Sequence, residues 1–183
     1  MDRPEALQIL TKYVKNPNLI NHMLSVEAAM AFYAELYNED ISTWRIAGLL
    51  HDFDWEIHPT LSEHPQAGAQ ILRHEGVPEI IIQAILNHAN HTGILRVSQL
   101  EKALYACDEL SGLITAVALV RPSRSLSDLT ALSVKKKWKD RAFAAGANRD
   151  EIASAANEFG IDLWEHTENV ITAMRKVAFE IGL

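Results

Sequence analysis

Apolar positions along this chain recur at helical spacing, and Pro, Gly and Asn interrupt them at intervals. Pro4 suits a first helical turn. The run Ala6, Leu7, Ile9, Leu10, Tyr13, Val14 follows it and ends at Asn16-Pro17. Asn18 is placed to cap a long helix reaching about Tyr37, and Ser42 to cap the next, apolar at Trp44, Ile46, Ala47, Leu49 and Leu50. Residues from Phe53 to Glu63 carry Pro59 and mixed polarity, and read as a loop. Pro65 opens a short helix that Gly76 closes. Pro78 opens another, whose Ile80, Ile81, Ile82, Ala84, Ile85 and Leu86 are apolar almost all round, as an interior helix requires.

Thr92-Gly93 breaks the chain before a helix capped by Ser98 and continuing to about Val120. After Arg121-Pro122-Ser123, the stretch Leu126 to Lys139 is predicted helical with a basic end. Asn148 with Glu151, and Asp162 with Glu165, have the spacing of capping boxes. Gly160 can end the first of these helices, and the second is amphipathic to about Ile181. No strand-type alternation, internal repeat or linker is visible. The pattern predicts an all-α single domain over residues 1–183, a bundle of about seven to nine helices.

Composition narrows the setting. With 183 residues, 48% of them hydrophobic, the chain can bury a real core. A formal charge of −7 makes it a poor general binder of nucleic acid, while leaving room for a local basic pocket. Cys107 is the only cysteine, so no internal disulfide forms and a reducing cytoplasm is the expected location. The start MDRPEALQIL has no signal-peptide character, and no stretch approaches the 18 or so apolar residues of a membrane span. Neither nucleic acid nor membrane is expected as a partner.

His51-Asp52 ends an apolar helix in the context AGLLHDFDWE. Imidazole and carboxylate side by side suit borderline and hard divalent metals. A plainer account is a helix-terminal His satisfying free carbonyls beside a solvated Asp. The company of the pair matters more. His22 lies within an otherwise apolar helix, and Asp108 within LEKALYACDELSGLITAVAL, on a face with Leu104, Ser111, Gly112 and Thr115. A carboxylate buried there costs several kcal/mol unless it is paired or metal-bound. Pairing with a neighbouring Lys or Arg would satisfy it equally.

The order His22, His51-Asp52, Asp108, each on a different helix, resembles the HD superfamily of metal-dependent phosphohydrolases. His64-Pro65-Gln66-Ala67-Gly68-Ala69 is similar to that family's His-Pro-x-x-Gly-Ala segment, and Ile85-Leu86-Asn87-His88 to the following helix that ends in a ligating His. The match spans His22 to Leu113. It implies a metal-binding core at about 18–120, completed by C-terminal helices at 121–183. It also implies a ligand set of His22, His51, Asp52, His64, His88 and Asp108, holding two divalent ions (Fe, Mn, Zn, Ni, Co or Mg) with Asp52 between them. His58 competes with His64 but lacks the Pro-x-x-Gly-Ala continuation. His91 competes with His88, and His74 reads as a surface residue. Many two-metal relatives carry adjacent histidines where this chain has His88-Ala89. The cyclic-dinucleotide branch carries Ile-Gly-Lys where this chain has Phe53-Asp54-Trp55, so that substrate is disfavoured.

The resemblance implies hydrolysis of a phosphate ester by metal-activated water. Asp52 serves catalysis from between the ions. Asp54 and Glu56 are the nearest acid–base candidates, Asp54 the better placed. The substrate is expected to be a small phosphorylated anion, with His91 and the i, i+4 pair Lys137 and Arg141 as candidate binding groups in a basic segment that otherwise reads as a solvated helix face. Relatives with the same ligands include mixed-valence di-iron oxygenases, and a nucleotide-binding sensor module is a third possibility. Oligomeric state is not legible.

Overall fold

Six of the helix starts in this chain are set by side chains that accept the first free backbone amides. The computed structural model describes residues 1–183 as ten α-helices and one 3-10 turn, Asn90–Thr92, with no strand. Asp2 and Glu5 form a reciprocal capping box on α1 (Arg3–Tyr13), and Ser98 with Glu101 form another on α6 (Gln99–Leu119). Asn16, not Asn18, caps α2 (Pro17–Tyr37): its carboxamide oxygen accepts the Asn18 N–H, with Pro17 in the first turn. Asp40, not Ser42, caps α3 (Ile41–Leu50) by accepting the Thr43 N–H. Next come α4 (Gln66–His74) and α5 (Glu79–Asn87).

Asn148 and Asp162 each accept two amides at the starts of α8 (Arg149–Phe159) and α9 (Leu163–Arg175). The reciprocal half of the expected box is missing at both; the Glu151 carboxylate takes the Asn90 side-chain amide instead, and Asp162 caps α9 without a return bond from Glu165. Gly160 ends α8 at φ 84°, a left-handed turn that a side chain would strain. The helix count exceeds nine because the last segment breaks at Lys176-Val177 and resumes as α10 (Ala178–Ile181).

The predicted helix from Leu126 is corrected most. Helix α7 is only Ala131–Trp138. Side chains take the carbonyls that a helix over 126–130 would use: Arg175 holds those of Leu126 and Leu129, and Arg121 that of Asp128. The α5 face is also less uniform than expected. Ile81, Ile82, Ala84 and Ile85 are buried, but Ile80 is 62% exposed.

Helix α2 lies at the centre, packed on α3, α6 and α9. Gly48 makes the α2–α3 approach possible, since a Cβ there would sit 2.9 Å from the Glu27 backbone nitrogen. Glu27, itself buried, is satisfied by Arg3 at 2.5 Å and Arg45 at 3.0 Å, which ties α1, α2 and α3 together. One continuous apolar core runs from Ala6 to Ile181. No helix is long and apolar enough to cross a membrane.

Candidate metal centre

Five segments deliver the site. His22 comes from the second turn of α2, His51 and Asp52 from the end of α3, His64 from the turn before α4, His88 from the end of α5, and Asp108 from the middle of α6. Rigid facing helices suit such a constellation, because each ligand rotamer is locked by packing. His22, His51, Asp52 and Asp108 form one group of mutually close donor atoms; Asp52, His64 and His88 form a second. The Asp52 carboxylate belongs to both. Its Oδ2 lies 3.6 Å from His51 Nε2, and its Oδ1 lies 3.4 Å from both His64 Nε2 and His88 Nε2.

The imidazoles are held with Nε2 facing the cluster. His51 Nδ1–H donates to the Gly48 carbonyl at 2.8 Å, His88 Nδ1–H to the Ile85 carbonyl at 2.5 Å, and His64 Nδ1–H to Asp54 Oδ1 at 2.8 Å. These acceptors fix the tautomer that leaves a lone pair on Nε2, the form a metal takes. His51 Nε2 then meets His22 Nε2 at 3.2 Å, with Asp108 Oδ1 at 2.9 Å from His22 and 3.4 Å from His51. Nitrogen lone pairs and carboxylates this close need a cation among them. Donors bound about 2.1 Å from one ion lie roughly 3.0–3.4 Å apart in octahedral or tetrahedral geometry. The contacts here run from 2.9 to 3.6 Å. The residues therefore fit divalent metal, which is what the chemistry of the donor set calls for.

The electrostatics agree. Burial by itself pushes the His51 imidazole down, but Asp52 and Asp108 outweigh it and raise it to about 9. Burial likewise opposes ionisation of Asp108, and the facing His51 and His22 hold it well below the usual carboxylate range.

Several expected roles are corrected. Asp54 is fully buried, its Oδ1 on His64 and its Oδ2 accepting the Gly68 N–H at 3.1 Å, so it orients a histidine and has no free path to substrate. Glu56 accepts the Lys15 and Asn16 N–H groups ahead of α2. His91 stands outside both donor groups, with its Nε2 on the His64 carbonyl at 2.8 Å. His58 faces Glu63 at 3.5 Å, and His74 is exposed. Lys137 and Arg141 share no stripe, because α7 stops at Trp138. Lys137 lies over the Phe143 ring, and Arg141 pairs with Asp150 at 3.0 Å.

A cavity of about 460 Å³ opens on the donor cluster. His22, Asp52, His64, His88 and Asp108 form its floor, and Trp55, Leu61, Glu109, Gly112, Ala144, Gly146 and Ala147 complete the lining. No lysine or arginine lines it. Sequence reading missed Glu109, whose carboxyl is pushed up to about 7 by burial and then by the Asp108 charge. It also missed Arg149, buried at the start of α8, which donates to the carbonyls of Phe143, Ala144 and Ala147 and so shapes the 143–147 wall. Nothing local in the sequence marks either residue.

The HD domain family matches residues 19–113, just over half of the chain, and the protein belongs to that family. The superfamily so defined is one of metal-dependent phosphohydrolases. Among individual proteins, the chain is similar to ribonuclease Y of Enterococcus faecalis, 27% identical over 157 residues. That alignment covers 80% of this chain and 30% of the relative. It is also similar to tRNA (cytidine(56)-2'-O)-methyltransferase of Thermoplasma volcanium, 32% identical over 87 residues, covering 48% of this chain and 25% of that one. Ribonuclease Y of Pseudothermotoga lettingae is 31% identical over 90 residues, with 46% and 18% covered. The chain thus spans less than a third of the length of these relatives. No solved structure matches it.

Proposed function

We propose that this protein is a metal-dependent hydrolase of small phosphate esters working at a dinuclear centre. The observation that carries the reading is the division of the Asp52 carboxylate between two donor groups, one oxygen toward His51 and the other toward His64 and His88. His22, His51, Asp52 and Asp108 would hold one ion, and Asp52, His64 and His88 the other. Divalent ions bound there supply a hydroxide-like nucleophile near neutral pH and charge neutralisation for a phosphoryl group. The protein's own part is orientation. Asp54, the Gly48 carbonyl and the Ile85 carbonyl keep three Nε2 atoms aimed inward, and Trp55 with Ala144, Gly146 and Ala147 lines the space for the reacting group.

A small substrate is favoured over a polynucleotide. The net charge is −7 and the cavity lining holds no lysine or arginine, whereas binding a run of phosphates needs several. Ribonuclease activity is stated in the names of relatives of which this chain spans less than a third. The lone, buried Cys107 fits a cytoplasmic setting.

Elemental analysis of the purified protein, followed by anaerobic turnover of a phosphomonoester panel, tests the reading. Two equivalents of metal and phosphate release without oxygen are expected. A product that forms only with oxygen would assign the site to oxidative cleavage and overturn hydrolysis.

A further inference from the structure

Once the metal donors are set aside, Glu109 is the one ionisable side chain, and the one side-chain acceptor, left lining the cavity; the other non-ligand lining residues are Trp55, Leu61, Gly112, Ala144, Gly146 and Ala147. Glu109 follows Asp108 on α6 but belongs to neither donor group. It is half-buried, and the Asn148 backbone N–H faces its carboxyl from the start of α8. A carboxyl group accepts several hydrogen bonds, so the nearby amide leaves most of its capacity to solvent or a ligand. The same cavity is walled by the segment that Arg149 clamps through the carbonyls of Phe143, Ala144 and Ala147.

With metal held by the donor cluster for one phosphate, the cavity would offer its occupant a largely apolar surface, the Glu109 carboxyl as acceptor and no cationic side chain. We infer that the substrate is a monophosphate ester whose alcohol part carries hydrogen-bond donors, as in a polyol or sugar phosphate, and that Glu109 receives one of them. This rests on the hydrolase reading above. A second phosphate would meet Glu109 with no lysine or arginine to offset it, which sets nucleoside diphosphates and oligonucleotides apart. An alkyl phosphate of equal length would desolvate Glu109 and return nothing. Sites built to bond a hydroxyl discriminate strongly against analogues that lack it.

The test compares the metal-loaded protein on pairs matched in carbon-chain length: glycerol phosphate against n-propyl phosphate, and ribitol phosphate against n-pentyl phosphate. The polyol members are expected to exceed the alkyl members by about tenfold or more in kcat/KM. Glu109→Ala is expected to bring that ratio to within about threefold of unity, and Glu109→Gln, which keeps an acceptor oxygen, to retain part of it. Equal turnover of both series by the wild type overturns the inference while leaving hydrolysis standing. So does a Glu109→Ala or Glu109→Gln effect of the same size on both series, or loss of metal from these variants. Turnover of neither series by protein that holds its metal overturns the hydrolase reading and this one together.

Discussion

The Asp54 carboxylate grips His64 from behind, its Oδ1 accepting the Nδ1 proton at 2.8 Å while its Oδ2 accepts the Gly68 amide at 3.1 Å. This pairing fixes which nitrogen His64 presents to Asp52. Removing such a partner behind a ligating histidine commonly weakens metal binding about 10- to 100-fold. Asp54→Ala should therefore lose the second equivalent of metal first, as titration by calorimetry would show. Unchanged affinity for both equivalents would remove Asp54 from this role.

Gly68 is the other half of the grip. A Cβ there would sit 2.4 Å from Asp54 Oδ2 and 2.5 Å from its Cγ, so Gly68→Ala must push the carboxylate aside. The expected cost is about 1–3 kcal/mol in denaturant unfolding, with the same metal defect. Gly112→Ala is the contrast. Nothing lies within 4 Å of its added Cβ, and a mid-helix alanine should add about 0.5–1 kcal/mol. Equal behaviour of the two variants would discount the steric account.

Metal uptake should be proton-coupled. With His51 raised to about 9 by Asp52 and Asp108 against the pull of burial, the metal-free site carries a proton near neutral pH that an ion must expel. Apparent affinity should rise about tenfold per pH unit for each proton displaced, levelling above pH 9 or so. The metal-free protein has the opposite trend. A raised folded-state pKa contributes stability below the ordinary imidazole value, and that contribution fades as pH climbs through about 9. Equilibrium dialysis across this range reads the first effect; a flat profile would contradict it.

Arg149 donates to three carbonyls of the segment that walls the cavity, and it is 2% exposed. Arg149→Met leaves those carbonyls without their donor. A loss of about 2–4 kcal/mol is expected, with a rise in KM that exceeds any fall in kcat. Faster limited proteolysis between 139 and 147 would mark the released wall. A variant as resistant as the wild type, with KM unmoved, would show that the segment holds itself.

His166 connects the core to pH. It is fully buried, its Nδ1 accepting from the Tyr33 hydroxyl at 2.6 Å and its Nε2–H donating to the Ala106 carbonyl at 2.9 Å. Burial lowers its pKa from 6.5 to about 4. A lowered folded-state pKa means the unfolded chain binds the extra proton first. The contribution is full above 6.5 and fades as pH falls toward 4, by about 3 kcal/mol in all. In His166→Gln that part of the acid slope should vanish, so the gap between wild type and variant narrows with falling pH. Parallel unfolding curves at every pH would place the acid sensitivity elsewhere.

What the sequence determined by itself was whatever local chemistry and ordered spacing decide. Helical periodicity and breakers located the elements up to Val120 to within a few residues, and Ser98 caps its helix as expected. The six-residue pattern named His22, His51, Asp52, His64, His88 and Asp108, and all six converge because each sits at a fixed place on a helix or helix end. Tertiary structure decided what depends on partners distant in the chain. The Arg175 and Arg121 side chains stop a helix over 126–130, and burial against Gly68 turns Asp54 from an apparent acid–base group into a support for His64. Lys137 and Arg141, one stripe on paper, part where the chain turns after Trp138, while Glu109 lines a cavity only because α8 and the 144–147 segment are brought against α6. Periodicity reports which face of a segment seeks the core. A group's chemical role follows from what the rest of the fold places opposite it.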